Sequence, residues 1–138
     1  MNTMKLKFIF FILLFFTLNN YCFSQTHKDR AIEVSYKTIN SYGNWSAFSE
    51  WQDCNIIIVT DFDNKTFTIY SKEIQEFDII KFFPTKTDEN GQQTYEMLCI
   101  DKEGKRCHIR HRFLKKGLYA RSQLYVDYNN IIFAYNLE

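Results

Sequence analysis

The chain reads as an all-β protein, an antiparallel up-and-down meander of about seven or eight strands closing into a small barrel. Three observations predict this. Apolar residues recur with period two along most of the chain, turn-forming residues separate these runs at short spacing, and no helical periodicity lasts beyond two turns. Sequential runs with no long crossover pair as hairpins, and closure removes the two open edges a flat meander would expose. A two-sheet β-sandwich is the alternative, because hairpin order does not say where a sheet splits.

The N-terminus predicts export. Lys5 and Lys7 precede an apolar run from Phe8 to Leu18, broken only by Thr17, and Cys22-Phe23-Ser24 places small residues at −3 and −1 of a cut before Gln25. The apolar run is about half of the ~20 residues that span a bilayer, so residues 1–24 read as a signal peptide and not as a retained anchor. A lipid-anchored start at Cys22 is disfavoured by Asn19-Asn20-Tyr21, which stand where lipoprotein signals carry small residues. Residues 25–138 then form one β domain in the periplasm or outside the cell.

The mature segment opens on Gln25 to Arg30, polar and expected to fray. Ala31 to Ile39 carries Ile32, Val34 and Tyr36 in alternation, a strand signal, and Gly43 marks a turn within Asn40 to Asn44. Trp45 to Trp51 sets two tryptophans and Phe48 among polar residues, which fits a short strand or a plug across one end of the core. Cys54 to Thr60 is the most β-branched run and predicts a central strand. A tight turn at Asp63-Asn64, with positive φ at both positions, would set Ile58 opposite Ile69 and Thr60 opposite Phe67.

Ile74 to Phe83 breaks alternation, since Phe77 and Ile79 share one parity and Ile80 and Phe82 the other. One extra residue near Ile79-Ile80 restores a single apolar face. Pro84 ends the strand, and Thr85 to Gln92 is a loop. Tyr95 to Phe113 forms two alternating runs around Lys102-Glu103-Gly104, a three-residue loop that places Cys99 opposite Cys107. Lys115-Lys116-Gly117 turns the chain, and the Asn129-Asn130 turn sets Val126 opposite Phe133 and Leu124 opposite Tyr135.

Three cysteines survive cleavage: Cys54, Cys99 and Cys107. In an oxidising space the facing pair Cys99 and Cys107 is expected to form a disulfide, with Cys54 a buried thiol; a bridge from Cys54 to either is the alternative connectivity.

No catalytic set emerges. The chain lacks G-x-S-x-G, H-E-x-x-H, a phosphate loop and C-x-x-C. His108 and His111 are an odd number of residues apart on a strand, so they face opposite sides and do not chelate; His111 falls on the core face as a hydrogen-bonded structural histidine. Cys107 and His108 diverge for the same reason, and Asp61, Asp63 and Asn64 are explained by turn chemistry. Neither a metal nor a cofactor is implied.

Removing Lys5 and Lys7 from a balance of 17 basic to 16 acidic residues leaves a nearly neutral chain, which argues against a nucleic-acid partner. Basic charge gathers between Lys102 and Arg121, read as a solvated strand face. Aromatic residues make up 18% of the chain, more than a core of this size ordinarily holds. Trp45, Trp51, Tyr95, Arg110 and Arg112 are the candidate contacts for a ligand or partner.

The Phe-rich signal ending in F-S-Q-T, W-S-A-F-S-E-W, D-F-D-N-K-T-F-T-I-Y and C-I-D-K-E-G-K-R-C together resemble small, uncharacterised secreted proteins of Gram-negative bacteria. The resemblance spans the mature chain and implies export, but no activity. The expected role is a non-catalytic binding module for a small apolar ligand or a protein partner, not an integral membrane protein. The alternative is a structural or interaction domain with a filled core that acts through its surface.

Overall fold

β-Branched and aromatic side chains at alternate positions favour extended backbone because they pack on a pleated, half-buried surface. The computed structural model describes residues 25–114 and 122–138; the proposed signal peptide and the Lys115-Lys116-Gly117 turn lie outside them. The strands are β1 (Thr26–Thr38), β2 (Gln52–Asp61), β3 (Thr66–Tyr70), β4 (Ile74–Phe82), β5 (Lys86–Thr87), β6 (Gln93–Asp101), β7 (Arg106–Phe113), β8 (Ser122–Asp127) and β9 (Ile131–Leu137). All pairings are antiparallel, each of the long strands pairs with its neighbours in sequence, β1 pairs with β9, and β4 pairs with β6 across the short edge strand β5. Eight strands therefore close into a barrel, and the sandwich alternative falls.

The hairpin registers match the turn counts. Ile58 faces Ile69, Thr60 faces Phe67, Cys99 faces Cys107, Val126 faces Phe133 and Leu124 faces Tyr135. The irregularity in β4 also lies where alternation breaks, between Ile79 and Lys81, so that Ile80 is the extra residue and is left exposed.

Three loops share one construction. Asn40-x-x-Gly43, Asp88-x-x-Gly91 and Asp101-x-x-Gly104 each place the Asx side-chain oxygen on the amides two and four residues on. In each, the glycine N–H donates to the Asx carbonyl and φ is +82°, +76° and +82° respectively. This is the three-residue bulged loop expected for Lys102-Glu103-Gly104, used three times.

Two local expectations are corrected. Thr26–Arg30 does not fray: it is the start of the 13-residue β1, and its amides pair with residues 57–61 of β2. The β2–β3 connection spans residues 62–65 and is not a two-residue turn; Lys65 alone has positive φ, and the Asp61 carboxylate accepts the Asp63 and Asn64 amides.

The expected Cys99–Cys107 disulfide is also corrected. The two residues face each other and are buried, yet both are free thiols, as is Cys54. The Asp101 N–H donates to the Lys105 carbonyl at 2.9 Å, which makes that a hydrogen-bonded pair; stepping two residues outward puts Cys99 and Cys107 at another such site. There the Cβ atoms stand about 5.5 Å apart. A bridge needs about 3.8 Å. Burial pushes both thiols up to about 12, which leaves almost no thiolate to start oxidation.

The inward face is a continuous apolar cluster. Ile58, Phe67, Ile69, Phe77, Cys99, Cys107, Ile109, Val126 and Leu137 are fully buried, with Phe67 and Phe77 in an edge-to-face pair 5.8 Å apart. Most of these residues fill the middle of the barrel and the end near the β3–β4, β6–β7 and β8–β9 turns, while Phe67 and Leu137 lie toward the other end.

Candidate functional site

An eight-stranded barrel has an interior just wide enough to be filled by side chains or to hold one small ligand. Here the two ends differ. At the end where β1 begins and where the β2–β3 and β4–β6 connections lie, the interior opens into a cup of about 350 Å³. Its wall is mostly aromatic: Phe62, Phe67, Phe82, Tyr95 and Phe113, with Met97 and Leu124 deeper in, and Phe83 borders it with its ring stacked on His108 of the outer face at 5.7 Å. Tyr95 and Phe113 meet edge to face at 5.4 Å, and Phe62 and Phe82 lie 5.9 Å apart across the rim.

The cup exists because β1 runs past its partner. β9 ends at Leu137, opposite Ala31 of β1 and Ser122 of β8, so the first residues of β1 pair with β2 alone. Inward-facing His27 and Asp29 thereby reach the wall made by β7 and β8. His27 Nε2 lies 3.0 Å from Asp29 Oδ1, His111 Nε2 lies 2.9 Å from Ser122 Oγ, and the His27 and His111 ring centroids are 6.3 Å apart. His111 also stacks on Phe113 at 4.3 Å. Burial lowers the His111 pKa and nearby His27 adds to this, against an opposing pull from Asp29, so its imidazole is neutral at neutral pH.

Asp29, His111 and Ser122 bear a superficial likeness to a nucleophilic triad. The likeness fails in two places. Asp29 Oδ2 stands 4.0 Å from His111 Nδ1, too far for the orienting hydrogen bond, and Ser122 does not line the cup. The arrangement is a polar strip in an apolar bowl, able to accept or donate hydrogen bonds to something held there. No group of His, Cys, Asp and Glu among the described residues is placed to hold a metal.

The residues singled out from the sequence divide three ways. Tyr95 lines the cup. Trp45 and Trp51 do not: they lie on the connection after β1, where the Ser46 and Ser49 amides bond back to β1 and the Lys37 ammonium sits 5.4 Å from the Trp45 ring centroid. Arg110 and Arg112 point outward and are already engaged, Arg110 with Asp127 in a two-nitrogen pair and over the Tyr125 ring at 4.5 Å, Arg112 with Gln92 and Asp88. The basic face is thus partly neutralised by its own neighbours.

His111 occupies the core-face position its spacing predicts and makes the hydrogen bond expected of it. Sequence reading missed His27, Asp29, Phe62, Phe82 and Phe83. A signal existed for three of them, since Phe62 sits inside a turn and Phe82-Phe83 immediately precede Pro84, and large apolar residues at strand ends are natural rim residues. His27 and Asp29 gave none, because their part in the site depends on where β9 stops.

No protein-family model matches the chain, and neither a curated protein nor a solved structure matches it.

Proposed function

We propose that this is an exported, non-catalytic binding module that holds one small, largely apolar ligand in the cup. The observation that carries the reading is the asymmetry of the interior: a continuous buried apolar cluster through the middle and an open, aromatic-lined cup at one end, with a few polar groups in its wall. That combination is characteristic of small-molecule sites, and about 350 Å³ lies at the lower end of their range. The barrel's apolar face is inward and its charged residues face out, the reverse of a membrane-spanning barrel, which supports a water-soluble carrier. No helix among the described residues is long and apolar enough to cross a membrane.

The test is binding of the neutral dye N-phenyl-1-naphthylamine, followed by its fluorescence, to wild type and to Leu124→Phe, which adds volume to the cup floor. Saturable one-site binding that weakens at least about tenfold in the filled variant supports the reading. Equal binding to both proteins places the dye elsewhere and ends it.

A second reading, an interaction domain acting through its surface, draws on the half-exposed cluster of Trp45, Phe48 and Trp51 outside the barrel. It predicts a protein partner whose binding survives Leu124→Phe and is lost on Trp45→Ala.

A further inference from the structure

The cup's walls differ in chemistry. Aromatic rings from β3, β4, β6 and β7 line most of it, whereas His27, Thr60 directly opposite it in register, and His111 gather where β1 overhangs β9; Glu96 of β6 also borders the cup, its carboxylate engaged by His108 and Lys86. Asp29 stands beside them, its side chain only 12% exposed. One of its oxygens takes the His27 contact at 3.0 Å, while the other is 4.0 Å from His111 Nδ1 and has no hydrogen bond among the described residues. No Lys or Arg among the described residues lines the cup.

The polar strip therefore has a carboxylate beside it, flanked by the two imidazoles. His111 brings no positive charge at neutral pH, since burial holds it neutral. A carboxylate head entering this space loses its hydration and meets a like charge, both of which act against binding. A head that donates a hydrogen bond finds the Thr60 hydroxyl in the wall, with the Asp29 carboxylate behind His27 and His111 adding its field, and an ammonium gains further attraction to the ring faces.

Resting on the binding reading above, we infer that the ligand of this cup is an apolar body carrying a hydrogen-bond-donating head, a hydroxyl or an ammonium group, and that the Asp29 side of the cup rejects a carboxylate head. Ligand orientation follows. The head lies against β1 and β2, and the body points to the Phe62, Phe82 and Phe113 rim.

Three probes that share an eight-carbon apolar chain and differ only in the head separate these ideas: 1-octanol, octylamine and nonanoate, each titrated against dye-loaded protein at neutral pH. Displacement by 1-octanol or octylamine, with nonanoate weaker by at least roughly tenfold, supports the inference. Nonanoate binding as tightly as 1-octanol overturns it and leaves the cup as a binding site. Failure of the dye and of all three probes overturns the binding reading itself, and the inference with it. Asp29→Asn, which removes the charge and nearly keeps the shape, should bring nonanoate to within about threefold of 1-octanol. An unchanged ratio in a folded variant counts against Asp29 as the selector. Should that variant not fold, Thr60→Val serves in its place: it should weaken 1-octanol and leave nonanoate unaffected, and no change in either would refute the donor-head assignment.

Discussion

Replacing Ile58 by aspartate tests whether the Ile-rich strand is the core strand of a closed barrel. Ile58 is fully buried, with Ile69 of β3 on one side and Asp29 of β1 directly opposite on the other. Three costs fall together. Removing the isoleucine side chain from the core forfeits ~1.5–3 kcal/mol of burial. Burying an unpaired carboxylate costs several kcal/mol more, and the new group faces an existing carboxylate across about 5 Å. The total exceeds about 5 kcal/mol, most or all of the stability of a domain this size. Ile58→Val removes one methyl group and should cost about 0.5–1.5 kcal/mol, which calibrates the site. Urea unfolding, followed by tryptophan fluorescence and circular dichroism, is the assay. Ile58→Asp should show no cooperative transition at pH 7 and should recover some structure on acidification. The sign follows from burial: the introduced carboxyl has a folded-state pKa raised above its unfolded value near 3.9, so the folded state gains stability as pH falls through the raised value. Cooperative unfolding at pH 7 within about 1 kcal/mol of wild type would refute the placement of Ile58 in the core.

Gly104→Ala should destabilise the protein by about 1 kcal/mol and Gly104→Asn by less, because φ is +82° there while open space surrounds the position, leaving backbone conformation as the whole cost; equal midpoints for wild type and Gly104→Ala would contradict this. A thiol-reactive probe at pH 8 should label Cys54 first and Cys99 and Cys107 only on unfolding, since Cys54 is the most exposed of three free thiols and the other two are raised to about 12; a Cys99–Cys107 cross-linked peptide in a non-reducing digest would show the opposite. The lowered pKa of His111 means that the unfolded chain takes up a proton near pH 6.5 before the folded one does, so this group's contribution is present above that pH and is lost as pH falls through its folded pKa. Stability measured from pH 7.5 downward should decline from about 6.5, and His111→Gln should flatten the decline; parallel curves would assign it to other groups.

Much of the fold was legible because its information is local. A hairpin register depends on the loop and the few residues beside it, so Ile58 with Ile69, Leu124 with Tyr135 and Cys99 with Cys107 could be counted outward from their turns. The bulge at Ile80 was legible for the same reason, as a break in period two. The repeated Asx-x-x-Gly loops were visible too, although only one was read as such. Where the counting stopped at side-chain chemistry it fell short: the loop placed the cysteines face to face, but whether facing sulfurs can bond depends on the hydrogen-bonding phase of the pair.

The candidate site was far less legible. Tyr95 belongs to it, and the more conspicuous Trp45, Trp51, Arg110 and Arg112 do not. Aromatic and basic residues stand out in a sequence for their chemistry, yet whether they are free to bind depends on neighbours such as Lys37 and Asp127, which only the fold brings to them.

By itself the sequence determined most of the strands, the hairpin registers and the antiparallel order, though not the start of β1, the β2–β3 turn or β5, because period-two alternation and turn chemistry act between residues a few positions apart. Only the tertiary structure decided that β1 closes on β9 and continues beyond it, and that His27, Asp29, Thr60 and His111 meet at one end. Closure depends on the stagger accumulated around all eight strands, a sum over many local registers that no single segment carries. The cup is a consequence of that sum.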